Sequence, residues 1–469
     1  MIAPGERSEP APSGFEPAPL PLPRVNVPSL ERLQLGLVAA VAATCLVSIF
    51  AAEVLFLAPA VLVFLTRVIL GRTRLVATPL DGPILAFSVW TLLSASFSPD
   101  PLASHESAKK LVLFALFYLA IDSLTDERTR GRVVDAAILG GLVLGAGSLL
   151  QFEFLGFDTM DNRPRSFLGH YMTASGLLMA VLVLAAARLA FWKEKIVPPS
   201  REDLQRIGVV ALLLAGLTLL KRLDVLAVEA ERLFVAGLAG AAAFMALSRR
   251  SWPGPATSFT LTALAIPVCT WAIIISRTRN AWLGALAGLA AVAVLRAPRL
   301  LWVLAGGVAL ILILRPAAVI ERLTVTDASS RDRIYMWQAG VDMIREKPIF
   351  GQGPDMVEKV YPQYRWPGAP NKDAPHLHNN AFQIAAERGL PCLAWWLWWV
   401  AAALGDAYRA ARRGDPDRLW GVAALAVLVA IMVAGLFEYN FGDSEILMLV
   451  LLVSALPYTL RQTPQNPAV

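Results

Sequence analysis

Charge is scarce in this chain. Asp, Glu, Lys and Arg make up 17% of its 469 residues and hydrophobic residues 56%, against about 25% and roughly 45–50% in an ordinary soluble domain. That deficit excludes a string of soluble domains, the expectation for a chain of this length. Cysteine is rarer still: Cys45, Cys269 and Cys392 each lie inside or at the edge of an apolar block, so neither a disulfide framework nor a CxxC metal site is available. No P-loop, nucleophile elbow or HExxH segment occurs. Asp415-Pro-Asp417 has DxD spacing but lies in a short loop among basic residues and reads as a Pro-centred turn. Gly351-Gln-Gly353-Pro354 lacks the third glycine of a dinucleotide loop and also reads as a turn. The formal charge of +6 would suit nucleic acid only with a solvated basic patch interleaved with aromatics; there is none, and no nucleic-acid partner is expected.

What is present is apolar sequence in blocks. Mean hydropathy is +0.57. Runs of about 15 to 22 apolar residues, enough to cross a roughly 30 Å hydrocarbon core as a helix, centre on 33–51, 53–71, 82–98, 107–123, 133–152, 171–190, 206–220, 233–248, 258–275, 281–296, 299–314, 391–408, 418–437 and 444–460. The expected fold class is all-α, a polytopic integral membrane helix bundle of about 12–14 transmembrane helices; the lower number holds if the short 206–220 and 299–314 blocks do not cross.

Lys and Arg placement in short loops gives the orientation. With the N-terminus inside, inner loops carry Arg67, Arg72 and Arg74, then Arg128, Arg130 and Arg132, then Arg296 and Arg299, then Arg409, Arg412, Arg413 and Arg418, while outer segments carry far fewer. Both termini are then cytoplasmic. Residues 1–30, rich in Pro, Ala and Glu and without an apolar signal-peptide core, read as a disordered tail. Transmembrane helices 1–11 occupy 31–314, one long outer loop with short helices 315–390, and the last three helices with a short tail 391–469.

Four polar clusters fall on the outer face. They are Asp161-Asn-Arg163-Pro-Arg165-Ser-Phe-Leu-Gly169-His170-Tyr171; Ser276-Arg277-Thr-Arg279-Asn280-Ala-Trp282-Leu283; Arg331-Asp-Arg333-Ile-Tyr-Met-Trp337; and His376-Leu-His378-Asn379-Asn380. An arginine wedged between apolar spans costs on the order of 2.5 kcal/mol unless it snorkels or meets an anion. Outside, the charge rule gives no reason for basic residues, so Arg163, Arg165, Arg277, Arg279 and Arg333 together suggest an anion site; a pyrophosphate offers oxygens for several guanidinium forks. The chain has only four histidines, at 105, 170, 376 and 378. The His376–His378 pair suits proton transfer near neutral pH; capping the loop, or a metal site with Asp373 as carboxylate neighbour, are the other readings, and no metal is expected.

These segments resemble the O-antigen ligase and polymerase superfamily of bacterial inner-membrane proteins over roughly residues 80–450. Arg279-Asn-Ala-Trp-Leu283 matches the family's R-x3-L motif, with Asn280 where Gly is usual. His378 to Gly389 matches its histidine with a glycine eleven positions on, through His378-Asn379-Asn380-Ala-Phe382 and Glu387-Arg-Gly389-Leu-Pro391, so His378 rather than His376 aligns with the functional histidine. Arg163-Pro-Arg-Ser-Phe-Leu-Gly is similar to an Arg-x-x-Gly-Thr-Phe segment, with Ser166 in place of Gly. Arg333 to Trp337, followed by Lys347 to Pro354, is similar to the opening of the family's periplasmic loop.

The resemblance implies glycosyl transfer on the periplasmic face from an undecaprenyl-pyrophosphate-linked glycan, without nucleotide, cofactor or metal. The acceptor is lipid A-core in ligases, a second lipid-linked repeat in polymerases and a protein side chain in related oligosaccharyltransferases; an anion transporter is a more remote alternative. It further implies an inverting displacement with His378 as general base. Arg279 and Arg163, with Arg277, Arg333 and Arg165, bind pyrophosphate. Asn379 and His376 orient the loop or a sugar hydroxyl, and Asp443 or Glu438 orients His378 or binds sugar, a solvated loop being the other reading of these two acids. The polyprenyl tail occupies a groove between spans, among membrane lipids.

Overall fold

The computed structural model describes residues 27–73, 76–193, 201, 205, 254–314, 316–324, 328–414 and 417–459. The blocks expected at 206–220 and 233–248, most of the N-terminal tail and part of the Asp415-Pro-Asp417 turn lie outside these residues, and with them the choice between 12 and 14 spans. The described residues form helices joined by turns, with no strand among them: α1 (Val27–Thr44), α2 (Ala51–Ile69), α3 (Asp81–Ser96), α4 (Pro101–Ala108), α5 (Ala115–Ser123), α6 (Glu127–Phe154), α7 (Tyr171–Ala190), α8 (Pro255–Ile275), α9 (Arg279–Arg296), α10 (Leu300–Leu314), α11 (Ala317–Thr324), α12 (Ala328–Glu346), α13 (Val357–Tyr364), α14 (Asn380–Ala411), α15 (Asp417–Ala434) and α16 (Ser444–Ala455). Helices α2, α6, α7, α8, α14 and α15 are long and apolar enough to cross a membrane, whereas α10 and α16 are apolar but shorter. The chain is a polytopic helical membrane protein. The block expected at 107–123 is not one regular helix, because a 3₁₀ turn over Lys109–Phe114 precedes α5.

Local sequence explains the boundaries. At the start of α6, Thr129 N donates to Asp126 Oδ1 at 2.7 Å and Asp126 N donates to Thr129 Oγ1 at 3.1 Å, a capping box that satisfies two otherwise orphaned donors. Helix α9 packs between α7 and α15. A Cβ on Gly284 would lie 2.2 Å from Met179 Sδ, and one on Gly288 2.7 Å from a Val183 methyl, so this pair of small residues lets the backbones approach and fixes the end of α9 that carries Arg279. At the opposite end, Arg188 pairs with Asp135 at 2.6 Å, Arg296 Nε donates to Ala190 O at 2.7 Å and Arg418 Nη2 to Leu295 O at 2.6 Å. Arg296 and Arg418, expected in inner loops from the charge pattern, thus lie with Arg188 at the bundle end remote from Arg279.

Between α10 and α14 a second, smaller hydrophobic core joins Met336, Met343, Val360, Tyr361 and Leu377. It docks on the bundle where α14 breaks. Gly389 has φ 79 and ψ 170 inside that helix, which frees carbonyls of the preceding turn. Gln352 N donates to Ala386 O at 2.8 Å, Gly353 N to Glu387 O at 2.7 Å, Ser94 Oγ to Glu387 O at 3.1 Å and Trp90 Nε1 to Arg388 O at 3.1 Å. The Gly351-Gln-Gly353 turn is thereby a strap across the break. A Cβ at Gly389 would lie 1.9 Å from Ile349 O, and its backbone conformation is one that only glycine adopts without a cost of about 1–3 kcal/mol. Gly389→Ala is expected to lower the melting temperature by several degrees or prevent accumulation of folded protein, measured by thermal unfolding in detergent; an unchanged melting temperature contradicts this role.

Candidate functional site

The His376–His378 segment is held from three sides. Leu377 is fully buried; its N–H donates to Gln383 Oε1 at 2.7 Å and its carbonyl accepts from Trp337 Nε1 at 3.0 Å. Asn379 caps α14, accepting from Phe382 N at 3.0 Å while its Nδ2 donates to Leu436 O at 2.9 Å. Asn380 Nδ2 donates to Asn440 Oδ1 at 2.8 Å and its Oδ1 accepts from Phe441 N at 3.1 Å. The two asparagines clamp the loop after α15 to the histidine loop. Glu438 is delivered into the gap by that clamp.

His378, with φ 49, places Nδ1 2.9 Å from Glu438 Oε2. His376 Nδ1 accepts from His378 N at 3.4 Å, so its Nε2, 3.4 Å from Glu438 Oε1, carries the proton. The two rings lie edge to face with centroids 4.2 Å apart. Burial pushes His376 down to about 4, only partly offset by Glu438, so this ring is neutral at neutral pH. Burial alone would raise Glu438, but the hydrogen bond from His378 and the adjacent positive charges hold it down at about 2. An ionised carboxylate therefore accepts a hydrogen bond from the Nδ1–H of His378 and leaves Nε2 as the basic nitrogen. His170 caps α7 and lies in the same field, lowered by burial against the pull of Glu438, with His378, Arg163 and Arg165 adding to the lowering. Three of the four histidines thus share one site, and His105, bonded to Pro101 O, stands apart.

The arginines gather around this cluster. Arg279, the first residue of α9, feels both Arg333 and Arg163 as like charges, and Arg333 acts in turn on His376 and Glu438. Arg163 is steered by Nε donation to Met160 O at 2.8 Å and lies over the Tyr171 ring at 4.4 Å. Arg333 Nε is buried with no partner among the described residues. Arg277 is 4% exposed and has φ 54; its Nε donates to Glu321 on α11 at 2.8 Å, tying the end of α8 to α11, while its Nη1 is buried without a partner among the described residues. Arg165 is at the rim, its Nη1 3.4 Å from Gly169 O. Gathering like charges is costly unless an anion neutralises them. A cluster of guanidinium groups is suited to binding an anion.

Asp443 does not reach His378. It accepts from Thr173 Oγ1 at 2.8 Å, and Glu438 takes the orienting position that sequence reasoning left open between them. Burial pushes the Asp443 carboxyl up to about 7, partly offset by Thr173. A raised acid of this kind stabilises the fold when protonated, and that stability is lost as pH rises from about 4 through about 7. Asp443→Asn is accordingly expected to flatten the loss of melting temperature between pH 5 and pH 8; a variant with the wild-type pH slope contradicts the assignment.

His376, His378 and Glu438 also offer three ligand atoms within 4.8 Å of one another, a donor set suited to a divalent ion. Arg333 opposes a cation there, and both histidine N–H groups already point at Glu438, so the charges favour an anion beside the cluster over a metal within it. Asp373, the nearest carboxylate along the chain, is not among these ligands; Glu438 arrives from 60 residues away.

Residues 262–397 match the family model described as O-antigen ligase. The match takes in Arg277, Arg279, Arg333, His376, His378 and Gly389, and stops short of Arg163, Glu438 and Asp443. No curated protein matches the chain.

Proposed function

We propose, for a chain that belongs to the O-antigen ligase superfamily, that it is a membrane glycosyltransferase moving a glycan from an undecaprenyl-pyrophosphate carrier to a lipid A-core acceptor on the periplasmic face of the bacterial inner membrane. The observation that carries this reading is the placing of Arg163, Arg279 and Arg333 in one field beside the His378–Glu438 pair. Positive charge for a leaving pyrophosphate and a base for an attacking hydroxyl are the two requirements of the reaction.

His378 Nε2 accepts the proton of the acceptor hydroxyl as its oxygen forms a bond to the anomeric carbon. The bond from that carbon to the pyrophosphate oxygen breaks with its electron pair, and the lipid pyrophosphate leaves with inversion. The arginines stabilise the charge that builds on it. Ionised Glu438 stabilises the imidazolium without taking its proton. Residues of the chain supply every role, and no metal is required.

Arg279→Lys retains a charge but loses the two parallel N–H donors of the guanidinium. Turnover is expected to fall about 10²-fold, as on removal of a donor to a developing anion; wild-type turnover and donor affinity in this variant contradict pyrophosphate recognition. In cells, loss of the gene is expected to leave lipid A-core uncapped while lipid-linked polymer persists. Single capped repeats would identify a polymerase instead, and loss of glycoprotein a protein oligosaccharyltransferase.

A further inference from the structure

Between α6 and α7 the chain runs through residues 155–170 without a helix, and this segment carries Arg163, Arg165 and His170. Backbone groups in such a segment have no helical ladder to satisfy them. Several of its bonds are internal: Asn162 Nδ2 donates to Gly156 O at 3.0 Å, Arg163 Nε to Met160 O at 2.8 Å and Leu168 N to Arg165 O at 3.1 Å. Among the described residues, the hydrogen bonds that tie the segment to α6 all end on Gln151, in the last turn of that helix. Gln151 is 5% exposed. Its Oε1 accepts from Arg165 N at 2.9 Å and from Ser166 N at 2.7 Å, and its Nε2 donates to Ser166 O at 2.7 Å. The main-chain carbonyl of the same residue accepts from Phe157 N at 3.3 Å. Ser166 turns the backbone at φ 53, and one helical turn before Gln151 a glycine makes room for it. A Cβ on Gly147 would lie 2.2 Å from Ser166 Oγ.

A buried amide in an apolar helix is costly unless its bonds are made, and here both acceptor positions of the oxygen and one N–H are in use. A carboxamide is suited to this task because it offers an acceptor for two N–H groups and a donor for the carbonyl beside them. The gripped peptide lies two residues after Arg163, which stands over the Tyr171 ring at 4.4 Å and acts as a like charge on Arg279. The direction of that arginine is thus set from α6 through the loop backbone. We propose that Gln151 is a positioning residue of the pyrophosphate site: its amide fixes the Arg165–Ser166 backbone and thereby sets where Arg163 stands relative to Arg279. The proposal rests on the glycosyl-transfer reading above, which gives Arg163 its ligand. Gly147 is the second half of the device, since the close approach of the loop to α6 brings the amide within reach.

The test uses the full-length protein in nanodiscs and measures equilibrium binding of a lipid-pyrophosphate glycan together with amide hydrogen exchange across residues 163–168. Gln151→Met keeps the length of the side chain and removes its three bonds. The expected result is a dissociation constant raised about tenfold or more, the scale of a displaced ligand-positioning group, with faster exchange at Arg165 and Ser166. Combined with Arg163→Ala, the same substitution adds no further loss of affinity, whereas a general structural defect adds one. Gln151→Glu keeps both acceptor positions and offers the Ser166 carbonyl a donor only when protonated. The ratio of its dissociation constant to that of the wild type is therefore expected to fall as pH is lowered from 8 to 5, a recovery that a merely structural role does not produce. This isosteric variant keeps the test open if Gln151→Met fails to fold. Unchanged exchange or wild-type affinity in Gln151→Met overturns the proposal, as does a loss that adds to that of Arg163→Ala or a Gln151→Glu ratio that is flat with pH. Arg163→Ala that binds the glycan as the wild type does sinks the pyrophosphate reading and the proposal with it; weakened binding there with none in Gln151→Met sinks the positioning role alone.

Discussion

His378→Ala is expected to lower glycosyl transfer by about 10²–10⁴-fold, the range of a positioned general base, while the protein still accumulates in the membrane and still binds the donor. The separation of effects follows from the geometry. The loop backbone is held by Leu377, Asn379 and Asn380 rather than by the His378 ring, so truncating the imidazole removes proton transfer and leaves the scaffold. The arginines proposed to bind pyrophosphate sit on other segments. Transfer rates and donor affinity measured on the same preparation check this; near-wild-type transfer refutes the base assignment.

The second large effect is expected at Glu438. Its carboxylate accepts from His378 at 2.9 Å, lies 3.4 Å from His376 and is held ionised despite burial. Glu438→Gln keeps the shape but removes the charge that stabilises an imidazolium and leaves one amide oxygen to accept where two carboxylate oxygens face two histidines. Turnover is expected to fall roughly 10²–10⁴-fold, by analogy with loss of the carboxylate from a His–carboxylate pair, with donor binding little changed. A structural role alone would not produce the following result: a role for Glu438 exerted through His378 predicts that the double variant His378→Ala with Glu438→Gln is no slower than His378→Ala. Additive losses would separate the two residues.

The fold was legible because hydrocarbon demands apolar runs of fixed length. The blocks predicted within the described residues coincide with helices, and 107–123 departs because Lys109 and Lys110 sit in a 3₁₀ turn rather than inside a span. The histidine and arginine clusters were legible as residues without an electrostatic reason to be outside. Their mutual arrangement was not, since Glu438 meets His378 across 60 residues of sequence and nothing in Phe437-Glu438-Tyr439 distinguishes it from a surface turn. The signal that could have found it is asparagine on each side of the contact: Asn379 and Asn380 follow the histidines and Asn440 follows Glu438, and buried amides that satisfy one another across two loops, as Asn380 and Asn440 do, mark a fixed junction. Asn379, expected at the substrate, is largely spent on that junction. Arg277 contributes most visibly through Glu321, a partner that sequence spacing could not indicate.

The glycine of the histidine motif acquires a physical reason. Eleven residues after His378, Gly389 turns the chain where the segment between α12 and α13 docks on α14, and its missing Cβ admits the Ile349 carbonyl. Motif and scaffold are one unit: the break in α14 positions the short helix that begins at Asn380, and that helix carries the histidine loop.

The most direct test is a single-turnover measurement with purified protein, a synthetic lipid-pyrophosphate glycan and lipid A-core, in the presence of a metal chelator and without nucleotide. Wild-type protein is predicted to transfer the glycan with inverted anomeric configuration, and His378→Ala to bind the same donor without transferring it. Transfer that persists in His378→Ala, that retains configuration, or that stops on chelation in the wild type would contradict the account.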